Sequence, residues 1–213
     1  MSAVVLAEAG GVVTELAAAI SDKRAWLSEI DGAIGDGDHG INMAKGFMQA
    51  SSALGPATEG LAASFTLLGD TLLGGIGGSM GPLYGTFFLE MANALSGAAT
   101  LDVAGCGRML HAGLAGVAEL GGAKPGDKTM LDALVPAVAA FDAARAAGAD
   151  FAACLDAMAA AAERGRDATR EMVAKVGRAA RLGERSRGVL DAGAASCCLI
   201  LQTLAAALKR RMT

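Results

Sequence analysis

Apolar residues recur at three- and four-residue intervals along most of the chain, and the pattern is interrupted by glycine, proline and acidic clusters. That is the spacing of amphipathic helices. Val5, Leu6, Val12, Val13, Leu16 and Ile20 form the stripe of a first helix over residues 3–20. Ser21 reads as the N-cap of a second helix over 23–30, with Asp22 favourable in its first turn. A third starts at Asp38 or His39 and runs to about 54, where Gly55-Pro56 breaks the chain. Further helices are predicted over 61–73, 83–95, 101–120, 129–147 and 151–176, the last capped by Asp150. A final helix over 194–210 is apolar nearly all round, which points to a central position. No segment alternates convincingly as a strand. Eight or nine helices on short loops predict an all-α bundle.

Composition agrees. Hydrophobic residues make up 53% and aromatics 4% of 213 residues, so the core is built from Ala, Leu, Val and Met. Ala, Leu and Met are strong helix formers. The length is that of one domain or at most two small ones. The net charge is −4, and no basic stripe exists to attract nucleic acid. Mean hydropathy is +0.43. The uncharged stretch 192–208 is short for a membrane span and carries Ser196, Gln202 and Thr203. The stretch 71–89 holds six glycines and a proline. Both are expected as buried bundle segments. The N-terminus has no basic region before its apolar residues, and Glu8 interrupts them, unlike a signal peptide. Cys106, Cys154, Cys197 and Cys198 have neither zinc nor disulfide spacing, so buried free thiols in a reducing cytoplasm are expected.

The chemistry concentrates in residues 31–47, D-G-A-I-G-D-G-D-H-G-I-N-M-A-K-G-F. Asp31, Asp36 and Asp38 repel one another unless a cation lies between them. A solvated Asp-Gly turn would have similar composition. Three aspartates followed at once by His39, Asn42 and an apolar run favour a hard divalent ion. The spacing is not that of an EF-hand loop. A helix starting at 38 or 39 leaves the amides of 39–42 free for phosphate. Beside such a cluster, the glycine-rich loop 74–82 becomes a second phosphate or nucleotide wall, with free amides on the helix after Pro82. Met130 suits either a flat base or a core gap. His111, alone in mid-helix, is given no role. In the loop 177–191, Arg178, Arg181, Arg185 and Arg187 either bind phosphate or lie solvated and paired with Glu184.

The run G-D-G-D-H-G-x-N-M at 35–43 resembles the signature of the dihydroxyacetone kinase L subunit, the nucleotide-binding half of a split sugar kinase. Residues 78–88 (G-S-M-G-P-L-Y-G-T-F-F), 126–133 (G-D-K-T-M-L-D-A) and 177–186 (G-R-A-A-R-L-G-E-R-S) fit the same family, in its order. The resemblance implies one domain over 1–213, an eight-helix up-and-down antiparallel barrel with a nucleotide at one rim. It implies that Asp31, Asp36 and Asp38 hold two Mg²⁺ ions on the phosphates of ADP or ATP. His39, Gly40, Ile41 and Asn42 would line the phosphates, and Ser79 and Met80 would cover the nucleotide. Gly121, Thr129 and Met130 would border the adenine. Arg178, Asp191, Ala192 and Gly193 would close the site. No residue of this chain is expected as a nucleophile.

The implied partners are a K subunit carrying dihydroxyacetone and a phosphocarrier (M subunit) of the phosphotransferase system that rephosphorylates resident ADP. A homodimer is left open, and neither nucleic acid nor membrane is expected. The family also admits ATP-dependent kinases of related ketoses such as erythrulose, and regulatory docking modules. Departures are Met80 where a small polar residue is common, Lys45 in place of Arg, and 188–194 without the usual His and Pro.

Overall fold

The computed structural model describes residues 2–55 and 60–213, and these contain nine α-helices. They are α1 (Val12–Asp22), α2 (Arg24–Ile34), α3 (His39–Ala53), α4 (Gly60–Gly75), α5 (Met80–Ala94), α6 (Val103–Gly121), α7 (Leu131–Ala146), α8 (Phe151–Ala168) and α9 (Ala192–Arg210). From α3 onward each helix packs on the next, α9 packs on α1, and α1 packs on α3. Eight helices thus close a ring, and α2 lies against α3 and α9. The starts of α3, α5, α7 and α9 and the ends of α4, α6 and α8 share one rim. At the other end Val4–Val5 pairs antiparallel with Thr100–Leu101, and Val4 bridges to Met212.

One continuous apolar cluster fills the ring. Phe88 is its aromatic centre, 5.2–5.8 Å from the rings of Phe47, Phe65 and Phe87. Small residues let helices approach closely. A Cβ on Gly69 would fall 2.9 Å from the Gly85 carbonyl, and one on Gly85 would fall 3.0 Å from the Gly69 carbonyl. Of the glycines of 71–89, Gly81 and Gly85 therefore serve α4–α5 packing, while Gly74, Gly77 and Gly78 have no close neighbour. On α7, Pro136 has no N–H to offer the Asp132 carbonyl. Gly165 of α8 lies against that carbonyl, with the Pro136 ring 3.0 Å from where its Cβ would be. Helix α9 is long and apolar enough to cross a membrane by composition, but 67% of that window is buried inside the bundle.

Three ring helices are also joined by a buried polar chain. His39 Nε2 lies 2.9 Å from Ser196 Oγ, and Ser196 Oγ lies 2.6 Å from the Tyr84 hydroxyl. Tyr84 donates to the Gly193 carbonyl at 3.0 Å. Burial lowers the His39 pKa to about 4 against the pull of Asp31, so the imidazole is neutral. The chain fixes α3, α5 and α9 at the rim.

Several predicted boundaries differ. The first helix does not start at residue 3: a strand, then a 3₁₀ turn at Leu6–Glu8, precede α1. The Leu6 amide bonds Ala99 at 3.0 Å, a long-range pairing that local periodicity cannot reveal. Ser21 lies inside α1 rather than capping α2, whose N-cap, Lys23, makes no side-chain bond. Helix α5 begins at Met80, so Pro82 sits within its first turn and the free amides precede it. Helix α8 stops at Ala168 rather than near 176. Asp150 does cap α8, accepting from the Ala153 amide at 2.8 Å. Pro56 of the Gly55-Pro56 break lies outside the described residues.

Two stability outcomes follow. Gly165→Ala gains about 1 kcal/mol of helix propensity, yet its Cβ meets backbone, so a net loss of about 1–3 kcal/mol is expected in denaturant melts. Ser196→Ala leaves the His39 Nε2 without its partner and removes one of the two bonds of the Tyr84 hydroxyl, and it is expected to lower Tm by about 4–8 °C, through a loss of about 2 kcal/mol. An unchanged melt in either variant contradicts the corresponding contact.

Candidate functional site

The carboxylates are brought together by a helix end, a turn and a helix start. Asp31 lies in the last turn of α2, not in a loop. Gly37, with φ 77, reverses the chain between Asp36 and Asp38, a conformation that favours glycine. Asp38 is the N-cap of α3. One oxygen from each of Asp31, Asp36 and Asp38 lies within 4.8 Å of the others. An all-oxygen, all-anionic donor set fits a hard divalent cation. Asp31 also accepts the His39 amide at 3.3 Å, and Arg178 forms an ion pair with Asp36.

These groups form one wall of a cavity of about 820 Å³. That is the size of a site for a nucleotide-scale ligand. Asp31, Asp36, Asp38, His39, Asn42, Ser79, Met80, Gly121, Thr129, Met130, Arg178, Asp191, Ala192 and Gly193 all line it. Gly40 and Ile41 do not. Gly40 packs on α2, where a Cβ would fall 2.8 Å from Ser28 Oγ, and the Ile41 side chain is 55% exposed. Their usable groups are the backbone amides of the first turn of α3, which point out of the helix's own ladder. The start of α5 presents the Met80 and Gly81 amides in the same way. Opposite this polar wall, Leu83, Val117, Leu120, Met130 and Val176 make an apolar slot for a flat ring. A Cβ on Gly193 would lie 3.4 Å from the Met130 amide, so the 129–130 and 191–193 stretches meet there.

Sequence reasoning missed three supporting residues. Buried Asp132 accepts the Gly126 amide and, at 2.7 Å, the Thr129 amide, which folds the loop before α7. Lys128 is 2% exposed and lines the cavity. Burial lowers its pKa. Tyr84, also in the wall, belongs to the polar chain. Lys128 and Asp132 lie in the 126–133 motif, but nothing in the sequence distinguishes a buried lysine from an exposed one. Asp191 caps α9 through the Ala194 amide at 2.7 Å. Enclosure pushes its carboxyl up to about 7, helped by Asp132 and Asp31 and opposed by the Ala194 amide and Lys128.

The other candidates are structural. All four cysteines are buried and free, and burial raises their thiols. His111 lies 2.5 Å from Asp142 on the surface. Of the arginines at 177–191, Arg187 pairs with Glu184 at 3.0 Å, and Arg178 alone lines the cavity.

The DAK2 domain matches residues 33–206. Over 191 residues, 89% of this chain and 90% of the relative, the sequence is 39% identical to the ADP-binding subunit DhaL of the PEP-dependent dihydroxyacetone kinase of Escherichia coli. It is 34% identical to an L-erythrulose 1-kinase of Mycolicibacterium smegmatis, covering 89% of this chain but 34% of that enzyme. The dihydroxyacetone kinase from C. freundii in complex with AMP-PNP and Mg²⁺ aligns with a TM-score of 0.69 at 29% identity, covering 93% of this chain and 33% of that one. A cation-ready carboxylate cluster, a nucleotide-sized cavity and these likenesses agree: the chain belongs to the DAK2-domain family, among its DhaL-type ADP-binding subunits.

Proposed function

We propose that this chain is the phosphoryl-transfer subunit of a dihydroxyacetone kinase, carrying a Mg²⁺-bound adenine nucleotide at the barrel rim. The observation that carries this reading is the trio of carboxylates within 4.8 Å, set beside the first turn of α3 in the wall of a cavity of about 820 Å³. Asp31, Asp36 and Asp38 would hold two Mg²⁺ ions. Bound there, the ions supply charge neutralisation and orientation for the phosphates. The amides of Gly40 and Ile41 and those at the start of α5, with Ser79, take phosphate oxygens, while the His39 and Asn42 amides are held by the Asp31 carboxylate and the Asp38 carbonyl. Gly121, Thr129, Met130 and the apolar slot take the base. Arg178 and Asp191–Gly193 close over the nucleotide, with Arg178 leaving Asp36 for phosphate. Phosphoryl transfer needs positioning and electrostatics rather than a covalent intermediate on this chain. The γ-phosphoryl group of bound ATP would pass to the ketose hydroxyl oxygen, with ADP as the leaving group and the hydroxyl proton released to a base outside this chain.

The ketose would be held by a K subunit, and resident ADP would be recharged by a phosphotransferase-system phosphocarrier. The higher identity to the PEP-dependent subunit, 39% against 34% for the erythrulose kinase, favours this donor over free ATP. In this reading residues 1–213 act as one cytoplasmic unit, active as a monomer or a homodimer.

The test is reconstitution with a K subunit and the phosphocarrier system of a PEP-dependent kinase. Dihydroxyacetone phosphate is expected with phosphoenolpyruvate as donor. Turnover with ATP alone, or with erythrulose in preference, selects the ATP-dependent ketose kinase instead. Asp36→Asn is expected to weaken Mg²⁺-dependent ADP binding about a hundredfold or more, beyond the loss from a residue that only orients a ligand. Its melting temperature in metal-free buffer should stay near wild type, because Asp36 lies on an exposed turn. Retained binding contradicts the metal assignment.

A further inference from the structure

Between α8 and α9 the chain crosses the mouth of the cavity. Its regular structure there is two 3₁₀ turns, Thr169–Glu171 and Ala179–Ser186. Val176, Gly177, Arg178 and Ala179 at its crest line the cavity. Such a segment, with little helix of its own, is expected to open readily unless something ties it down.

Lys128 ties it from below. Its ammonium donates to the carbonyls of Met172 at 3.2 Å, Ser186 at 2.5 Å and Val189 at 2.7 Å. One acceptor precedes the crest and two follow it, so a single group grips both legs. All three ammonium protons have an acceptor. Lys128 is the one non-glycine residue with positive φ (64) among the described residues, a costly conformation that has to be held by its surroundings. The neighbouring residue reinforces the join: the Asp127 carbonyl accepts the Lys175 amide at 3.1 Å, and its carboxylate lies 3.4 Å from the Lys175 ammonium. Two residues on, Met130 borders the apolar slot.

We propose that Lys128 is a positioning residue, a latch that holds the 172–189 segment over the cavity and so sets how long a bound nucleotide stays. The latch itself stands on the geometry above. Its effect on residence rests on the nucleotide reading of the preceding subsection. The latch joins the loop bordering the base to the segment that carries Arg178, so the two sides of the cavity open together.

Hydrogen exchange of the nucleotide-free protein tests the latch, comparing wild type, K128M, K128R and K23M, an exposed lysine between α1 and α2. In K128M the amides of 172–189 are expected to exchange about tenfold faster or more, because hydrogen bonds from a charged donor are lost. Helices α1 and α4 keep wild-type protection, and K23M exchanges as wild type. With Mg²⁺ and a fluorescent ADP analogue, release from K128M is expected to be about tenfold faster at an unchanged association rate, because held contacts act on dissociation. K128R keeps the charge, but its planar fork cannot aim at the same three carbonyls. It is expected to show a smaller increase in the same segment, and it decides the matter if K128M does not fold.

Unchanged protection of 172–189, or a loss spread evenly over the bundle, overturns the latch. A loosened segment with unchanged nucleotide release overturns its control of residence. A wild-type chain that binds no ADP analogue overturns the nucleotide reading instead, and the exchange data then decide the latch alone.

Discussion

Three carboxylates held within 4.8 Å of one another are a standing electrostatic cost. At that separation two unit charges repel by about 3.5 kcal/mol for an effective dielectric constant near 20, and by less at exposed Asp36, where solvent screens the charge. The fold imposes this geometry through the end of α2, the Gly37 turn and the Asp38 N-cap. Arg178 offsets part of it by pairing with Asp36. Divalent ions offset far more and bring phosphate with them. In the proposed reading a metal-bound anion completes this rim, and Arg178 turns from Asp36 to phosphate.

The rest of the structure keeps that rim in shape. Glycine pairs such as Gly69 and Gly85 bring helices close enough for the ring to close. The His39–Ser196–Tyr84 chain then fixes the starts of α3, α5 and α9 relative to one another. Asp132 folds the loop before α7, and Lys128, projecting from that loop, grips the segment above. Most polar groups buried at the rim are satisfied by one another; among the described residues Ser28 Oγ, packed against Gly40, has no partner. That leaves the amides of Gly40 and Ile41 and those at the start of α5 for a ligand.

Much of this was legible in the sequence, for identifiable reasons. Helical spacing located the helices because the bundle buries one face of each; α9, expected at the centre from its all-round apolarity, is instead a ring helix covered on several sides by α1, α2, α7 and α8. The carboxylate cluster was legible because its members fall within eight residues and are separated by glycines. Fourteen of the sixteen predicted site residues line the cavity; Gly40 and Ile41 do not, because a helix start offers its amides while its side chains follow the helix's own faces. What stayed hidden depends on long-range contact. The strand at residues 4–5 exists through its pairing with 100–101, and Lys128 reads as an ordinary exposed lysine until residues 172–189 fold over it.

The central claim, a metal-dependent nucleotide site at this rim, is tested most directly by the protein's own contents. The chain is purified in Mg²⁺ without added nucleotide, denatured, and the released small molecules are identified; a second sample is first incubated with labelled ATP. ADP in equimolar amount, retained against labelled ATP and lost on chelation of Mg²⁺, is the expected result. A chain that carries no nucleotide and takes up none from Mg²⁺-ATP contradicts the account, and the three aspartates would then need another explanation.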